Sequence, residues 1–202
     1  VPHVLVPVAR WHRWVDNFGS RHDGASLAVV DGGVLRGTAA DGSHFTARLP
    51  FATEYDGPAE ARAFATAAVA PAAWGVLLVR KGGFAIARLS GTTLVEHKIG
   101  QRHVQGRTKA GGQSQQRFAR RRDNQARQAY EAAADHAARI LAGATLVSTG
   151  GDHGAVDAVL ADARLAHVTV VEPWLAVPDP RRAVLDQAIG DTQAIRVEVV
   201  NA

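Results

Sequence analysis

Between Trp74 and Val104 the chain is written in short apolar runs cut by glycine, and after Ser114 it is written at helical spacing. That single change of period constrains the fold more than any other feature. Trp74–Arg80 reads as a buried strand; Gly82-Gly83 turns it into Phe84–Leu89, and Gly91 turns that into Thr93–Val104. Polar, glycine-containing Gln105–Gly112 reads as a loop. The helix that follows is predicted over roughly 114–141. Ala126, Ala129, Tyr130, Ala133, Ala137, Ile140 and Leu141 form one packing stripe, and Arg117, Arg120, Arg121, Asn124, Arg127 and Gln128 lie on another face. Strand and helix patterns then alternate: strands at 145–148, 167–171 and 194–200, helices at 152–163 and 180–189. The expected class is α/β, a mixed sheet with helices packed on it.

The segment before this is different. Trp11, Trp14, Val15 and Phe18 recur at helical spacing within residues 10–22 and read as a core stripe rather than a base-stacking platform. Ser26–Asp31 and Val34–Thr38 flank Gly32-Gly33, a hairpin signal, and His44–Leu49 continues the strands. Pro50 to Pro58 reads as a linker, and Ala59–Ala70 as a helix ended by Pro71. Residues 1–58 are therefore expected to be an N-terminal α+β extension, and 59–202 the main domain.

Composition narrows the chemistry. The chain has no cysteine, which excludes disulfides and thiolate metal sites. No apolar run approaches the ~20 residues of a membrane-spanning helix, and no signal peptide is visible at Val1. A cytoplasmic location is expected. Net charge is +4, but Lys98 to Arg127 carries nine Lys or Arg against the single acid Asp123, leaving the remainder acidic. One concentrated basic arm on a mildly acidic body points to a polyanion contact, because counterion release on phosphate neutralisation drives such binding.

At the tip of that arm stand Gly111, Gly112 and Gln113, followed by Ser114 and then by Arg117-Phe118-Ala119-Arg120-Arg121-Arg122. Two glycines open backbone conformations closed to other residues. The glutamine amide donates and accepts hydrogen bonds but is neither acid nor base. A neutral amide on a glycine hinge, backed by a cationic helix, suits delivery of one side chain into RNA.

Gly-Gly-Gln-Ser at 111–114 with Arg-Phe-Ala-Arg at 117–120 and Arg122 closely resembles the catalytic middle domain of archaeal and eukaryotic class I translation release factors. Within that group the chain looks most like the Vms-one-like release-factor family, which frees nascent chains from stalled ribosomes. The order of strands and helices likewise resembles ribonuclease-H-like topology. The resemblance implies a peptidyl-tRNA hydrolase. Gln113, Gly112 and Gly111 would be catalytic, and Arg107, Lys109, Ser114, Arg117, Arg120, Arg121 and Arg122 would contact RNA. Its partners would be peptidyl-tRNA and the ribosomal RNA of the large subunit, with no cofactor and no metal. Ala110 departs from the arginine common before the two glycines, and Lys109 and Arg107 are the available substitutes for its charge. No stop-codon-reading motif is recognisable in residues 1–58, so release is expected to be independent of a stop codon.

Three other readings compete. A ribonuclease-H-like tRNA endonuclease would draw metal ligands from Asp152, His153, Asp157 and Glu172, although Asp152 also reads as the N-cap of a helix. A non-catalytic ribosome- or RNA-binding module would use the same basic arm. A serine hydrolase would need Ser148 and His153, but the Gly-x-Ser-x-Gly elbow is missing. His97 and His103 are expected to face solvent or RNA, and Pro178-Asp179-Pro180 to start a helix.

Overall fold

The computed structural model describes residues 3–101 and 113–202, with the backbone alone for 113–126. The described residues form a mixed α/β structure with two five-stranded sheets and five α-helices. They group into two compact units: Val1–Pro71 with Val171–Pro173 and Ile189–Ala202, and Ala72–Val170 with Trp174–Ala188.

The first unit holds β1 (His3–Val6), α1 (Val8–Arg21), β2 (Ala25–Val30), β3 (Val34–Ala39), β4 (His44–Arg48), α2 (Ala61–Ala67) and β10 (Ile195–Val200). Its sheet runs β1-β10-β4-β3-β2, antiparallel at each pair whose register is defined. The β2–β3 turn closes at Val30 and Val34, with Gly32 and Gly33 at φ 74° and 68°, a region that favours glycine. The α1 stripe buries Trp11, Val15 and Phe18, as its spacing predicts. The indole N–H of Trp11 donates to the Ala61 carbonyl at 3.0 Å, so α2 is tied to α1 by a satisfied buried donor.

Two features of this unit differ from the sequence reading. The stretch 50–58 is not a bare linker: Pro50, Phe51 and Tyr55 are buried, and the Tyr55 hydroxyl donates to the Pro58 carbonyl at 2.7 Å. Aromatic burial outweighs the loop-like composition there. The final strand, β10, does not extend the main sheet. It lies between β1 and β4, pairing Val197 with both Val4 and Ala47, so the expected single mixed sheet is two sheets.

The second unit contains β5 (Trp74–Arg80), β6 (Gly83–Ser90), β7 (Thr93–Gln101), α3 (Gln113–Ile140), β8 (Leu146–Gly151), α4 (His153–Leu160) and most of α5 (Arg182–Thr192). The sheet order is β7-β6-β5-β8-β9, where β9 is Thr169–Leu175. The meander of β5, β6 and β7 is antiparallel, and β8 joins β5 in parallel. Every residue of β5 from Trp74 to Val79 is buried, as expected for a central strand covered on both faces. Ala133, Ala134, Ala137 and Ile140 of α3, with Leu141 just beyond it, cluster with Leu77, Val79, Ile86 and Val147. Small side chains let that helix approach the sheet closely, and a Cβ added at Gly75 would overlap Leu141.

Candidate nucleic-acid interface

Strand β7 ends at Gln101 and α3 begins at Gln113. The two elements carry the ends of the basic arm. Arg107, Lys109, Gly111 and Gly112 lie outside the described residues, as does His103. The backbone of Gln113, Ser114, Arg117, Arg120, Arg121 and Arg122 is helical and belongs to the first turns of α3; their side chains are likewise outside what is described. Arg127 and Gln128, the last two members of the predicted polar face, are exposed, while Ala133, Ala134 and Ala137 on the packing face are buried. The polar and packing faces of α3 are thus separate where both are described.

The root of the arm is tied down electrostatically. Glu96 on β7 hydrogen-bonds with Arg139 of α3 and lies 3.9 Å from Arg88 of β6. His97 accepts from the Arg182 guanidinium of α5 at 3.1 Å, and Arg182 also pairs with Asp186. His97 is exposed, in line with the sequence reading, and its ring contact is to an arginine.

Beside this root, a groove of about 390 Å³ opens between α3 and the β6–β7 hairpin. Lys98, Gln101, Tyr130 and His136 give it polar groups, and Phe84 packs against His136 with ring centroids 5.6 Å apart. Burial, and then the negative charge of Asp152, raise the Tyr130 phenol above its ordinary pKa, so it stays a hydrogen-bond donor. Spacing alone puts Tyr130 on the packing stripe, and Lys98 enters only through the charge of the arm. Their convergence depends on how β7 pairs with β6, which no local pattern reveals.

The competing sites do not assemble. Ser148 is fully buried on β8, and its Oγ has no hydrogen-bond partner among the described atoms. His153 is exposed and stacks on Trp174, centroids 3.6 Å apart and planes 13° from parallel, so it does not serve Ser148. Asp152 occupies the N-cap position of α4, but its side chain makes no capping bond. Instead it lies 3.5 Å from Arg80 and accepts the Lys81 backbone N–H at 3.3 Å. Glu172 pairs with Arg196 at 3.5 Å, and Asp157 is exposed on α4. No group of three or more histidine, aspartate or glutamate side chains that could hold a metal ion occurs among the described residues. Among the same residues, no helix is long and apolar enough to cross a membrane.

A search of curated proteins finds no match to this chain. A family model described as the Actinobacteria/chloroflexi VLRF1 release factor matches residues 72–198, which take in the meander, the arm, α3 and the strands and helices after it. With more than half its length matched, the chain belongs to this release-factor family.

Proposed function

We propose that the chain is a peptidyl-tRNA hydrolase that frees nascent peptides from stalled large ribosomal subunits without a stop codon. The observation that carries this reading is the position of one motif within the family match. The release-factor family model spans 72–198, and Gly111-Gly112-Gln113 falls inside that span, on the segment leading from β7 into α3. The order β7-β6-β5-β8-β9, with β5 antiparallel to β6 and parallel to β8, supports a ribonuclease-H-like topology for the second sheet. In this proposal residues 1–58 are an extension that contributes no catalytic group, and the catalytic group lies within 59–202.

The reaction is hydrolysis of the ester between the peptide and the tRNA 3′ oxygen. Water adds to the carbonyl carbon, negative charge develops on the carbonyl oxygen, the ester C–O bond breaks, and the tRNA oxygen departs carrying a proton. Backbone N–H groups at 112 and 113 meet the developing oxyanion, and the Gln113 amide positions the water. A Cβ at 111 or 112 would narrow the backbone angles open to the tip. Arg107, Lys109, Ser114, Arg117, Arg120, Arg121 and Arg122 bind phosphate along the path, and tRNA and ribosome complete the site. No side chain is needed as a general base, consistent with an amide at the tip.

The test is peptide release from peptidyl-tRNA on purified large subunits lacking mRNA. Wild-type protein is expected to release peptide, and Gln113→Ala and Gly112→Ala are expected to bind the subunit but release at least tenfold more slowly, the scale of one lost transition-state contact. Wild-type rates in both variants would reject the proposal. The tRNA 3′ end should be intact afterwards; a shortened tRNA would identify a nuclease instead.

A further inference from the structure

A second groove, of about 350 Å³, opens in the first unit. One wall is aromatic: Trp14, Phe18 and His22. These rings continue a row along α1 that starts at Trp11, with successive centroids 5.7, 6.0 and 4.6 Å apart. Phe45 meets Trp14 and Phe18 edge-on from the sheet, at 5.0 Å each, and so fixes the row. Trp14 is the half-buried tryptophan of the pair that the sequence reading assigned wholly to the core. Val4 and Val199 add apolar lining.

The remaining lining is polar and cationic. Asn17, Arg21 and Asn201 are exposed at the groove. His22 is held in place by Asp41, whose Oδ2 lies 2.7 Å from Nδ1 and whose Oδ1 accepts the Ser43 backbone N–H at 2.8 Å. That leaves Nε2 as the one polar atom of the His22 ring not engaged by Asp41. No carboxylate lines the groove among the described residues.

We propose that this groove binds one unpaired RNA nucleotide. The base lies against the aromatic wall, the carboxamides of Asn17 and Asn201 hydrogen-bond its edge, and Arg21 holds its phosphate. Flipped-out bases are recognised by this combination: an aromatic platform, amides that donate and accept at once, and a guanidinium matched to phosphate geometry. The size suits a small-molecule-sized group. A purely apolar segment would make no use of the carboxamides and guanidinium at the rim, and an acidic segment would meet only one permanent cation, so neither uses the whole lining. The inference rests on the proposed ribosomal role for the source of the RNA, and on the groove alone for the binding. It would give the first unit an anchoring task separate from hydrolysis.

The experiment titrates the full chain with the four nucleoside monophosphates and with short single-stranded RNA, following tryptophan fluorescence and side-chain amide NMR shifts. Saturable binding is expected. Arg21→Ala and Asn17→Ala, both at exposed positions that leave the fold intact, should each weaken it about tenfold, the scale of one lost base or phosphate contact. Trp14→Phe should reduce the fluorescence response while the NMR shifts persist. Absence of nucleotide binding, affinity unmoved in Arg21→Ala and Asn17→Ala, or preference for an apolar peptide would each overturn the inference. Peptide release measured on the same preparations separates the two proposals. Release without nucleotide binding overturns this one alone, and nucleotide binding without release overturns only the hydrolase reading.

Discussion

Asp152 stands at the N-cap of α4, yet its carboxylate is directed across to Arg80, with Oδ1 3.5 Å from Nε. A capping aspartate is replaced well by asparagine and poorly by alanine. An aspartate acting through charge is replaced poorly by both. Asp152→Asn and Asp152→Ala are therefore expected to cost similar amounts. Both partners are more than one third exposed, so the cost should stay under about 1 kcal/mol. Urea unfolding decides it: a clear loss in the alanine variant with none in the asparagine variant would show that Asp152 acts by accepting an N–H, from Lys81 or at the cap, and not through its charge toward Arg80.

The basic arm makes a quantitative prediction about salt. If Arg120 and Arg121 each neutralise one phosphate, replacing both with glutamine should reduce the slope of log affinity against log salt by about 1.4 to 1.8. Affinity should fall at low salt and converge with wild type at high salt. Binding to large subunits across a salt series measures this directly. An unchanged slope would mean that the two arginines contact no phosphate.

Local signals carried well wherever one face of one element decided the outcome. The α1 stripe, the Gly32-Gly33 hairpin, the meander and the small-residue face of α3 all follow from spacing, because each buries a periodic set of side chains. The placement of β10 was not legible. Its partners β1 and β4 are remote in sequence, and a pairing register across that separation leaves no local trace. Gly150 lies between the predicted strand at 145–148 and helix at 152–163 but belongs to β8, where a Cβ at 150 would overlap the Leu175 backbone. Glycine there serves close approach of neighbouring chain rather than a reversal. The proposed catalytic residues invert this pattern: Gly111, Gly112 and Gln113 are read from sequence, Gly111 and Gly112 lie outside the described residues, and Gln113 is described only by its backbone at the start of α3. The aromatic groove of the first unit was hidden because Trp14 shares its spacing with buried Trp11 and Phe18.

The chain has two tyrosines, Tyr55 and Tyr130, and both phenols are shifted upward. Burial is the larger cause at each. Charges of Glu60 and Asp56 add to it at Tyr55, and the charge of Asp152 adds to it at Tyr130. Unfolded phenols ionise near pH 10. The folded state holds these protons more tightly, so the linked stability is fully present below about pH 10 and is lost as pH rises through the folded values. A spectrophotometric titration should show a smaller phenolate fraction in native protein than in denaturant at about pH 10, where the denatured phenols are half-ionised. Asp152→Asn should bring Tyr130 part of the way back toward its ordinary value. An equal phenolate fraction in native and denatured protein at about pH 10 would contradict the upward shift of the two phenols.

Ser148 gives the sharpest separation between a structural and a chemical role. It sits on β8 beside the parallel partner β5, opposite Val76, and is fully buried. Its hydroxyl finds no hydrogen-bond partner among the described atoms. Burying such a group unsatisfied costs about 1–3 kcal/mol, whereas replacing serine with alanine removes only one heavy atom and leaves little cavity. Ser148→Ala is therefore expected to be neutral or stabilising by up to about 1 kcal/mol. A nucleophile would behave in the opposite way, since its removal would cost activity at unchanged stability. Thermal unfolding and peptide release measured on one preparation distinguish the two. A collapse in release with the melting temperature unchanged would make Ser148 a reactive group; unchanged release with equal or higher stability would leave it a purely structural residue.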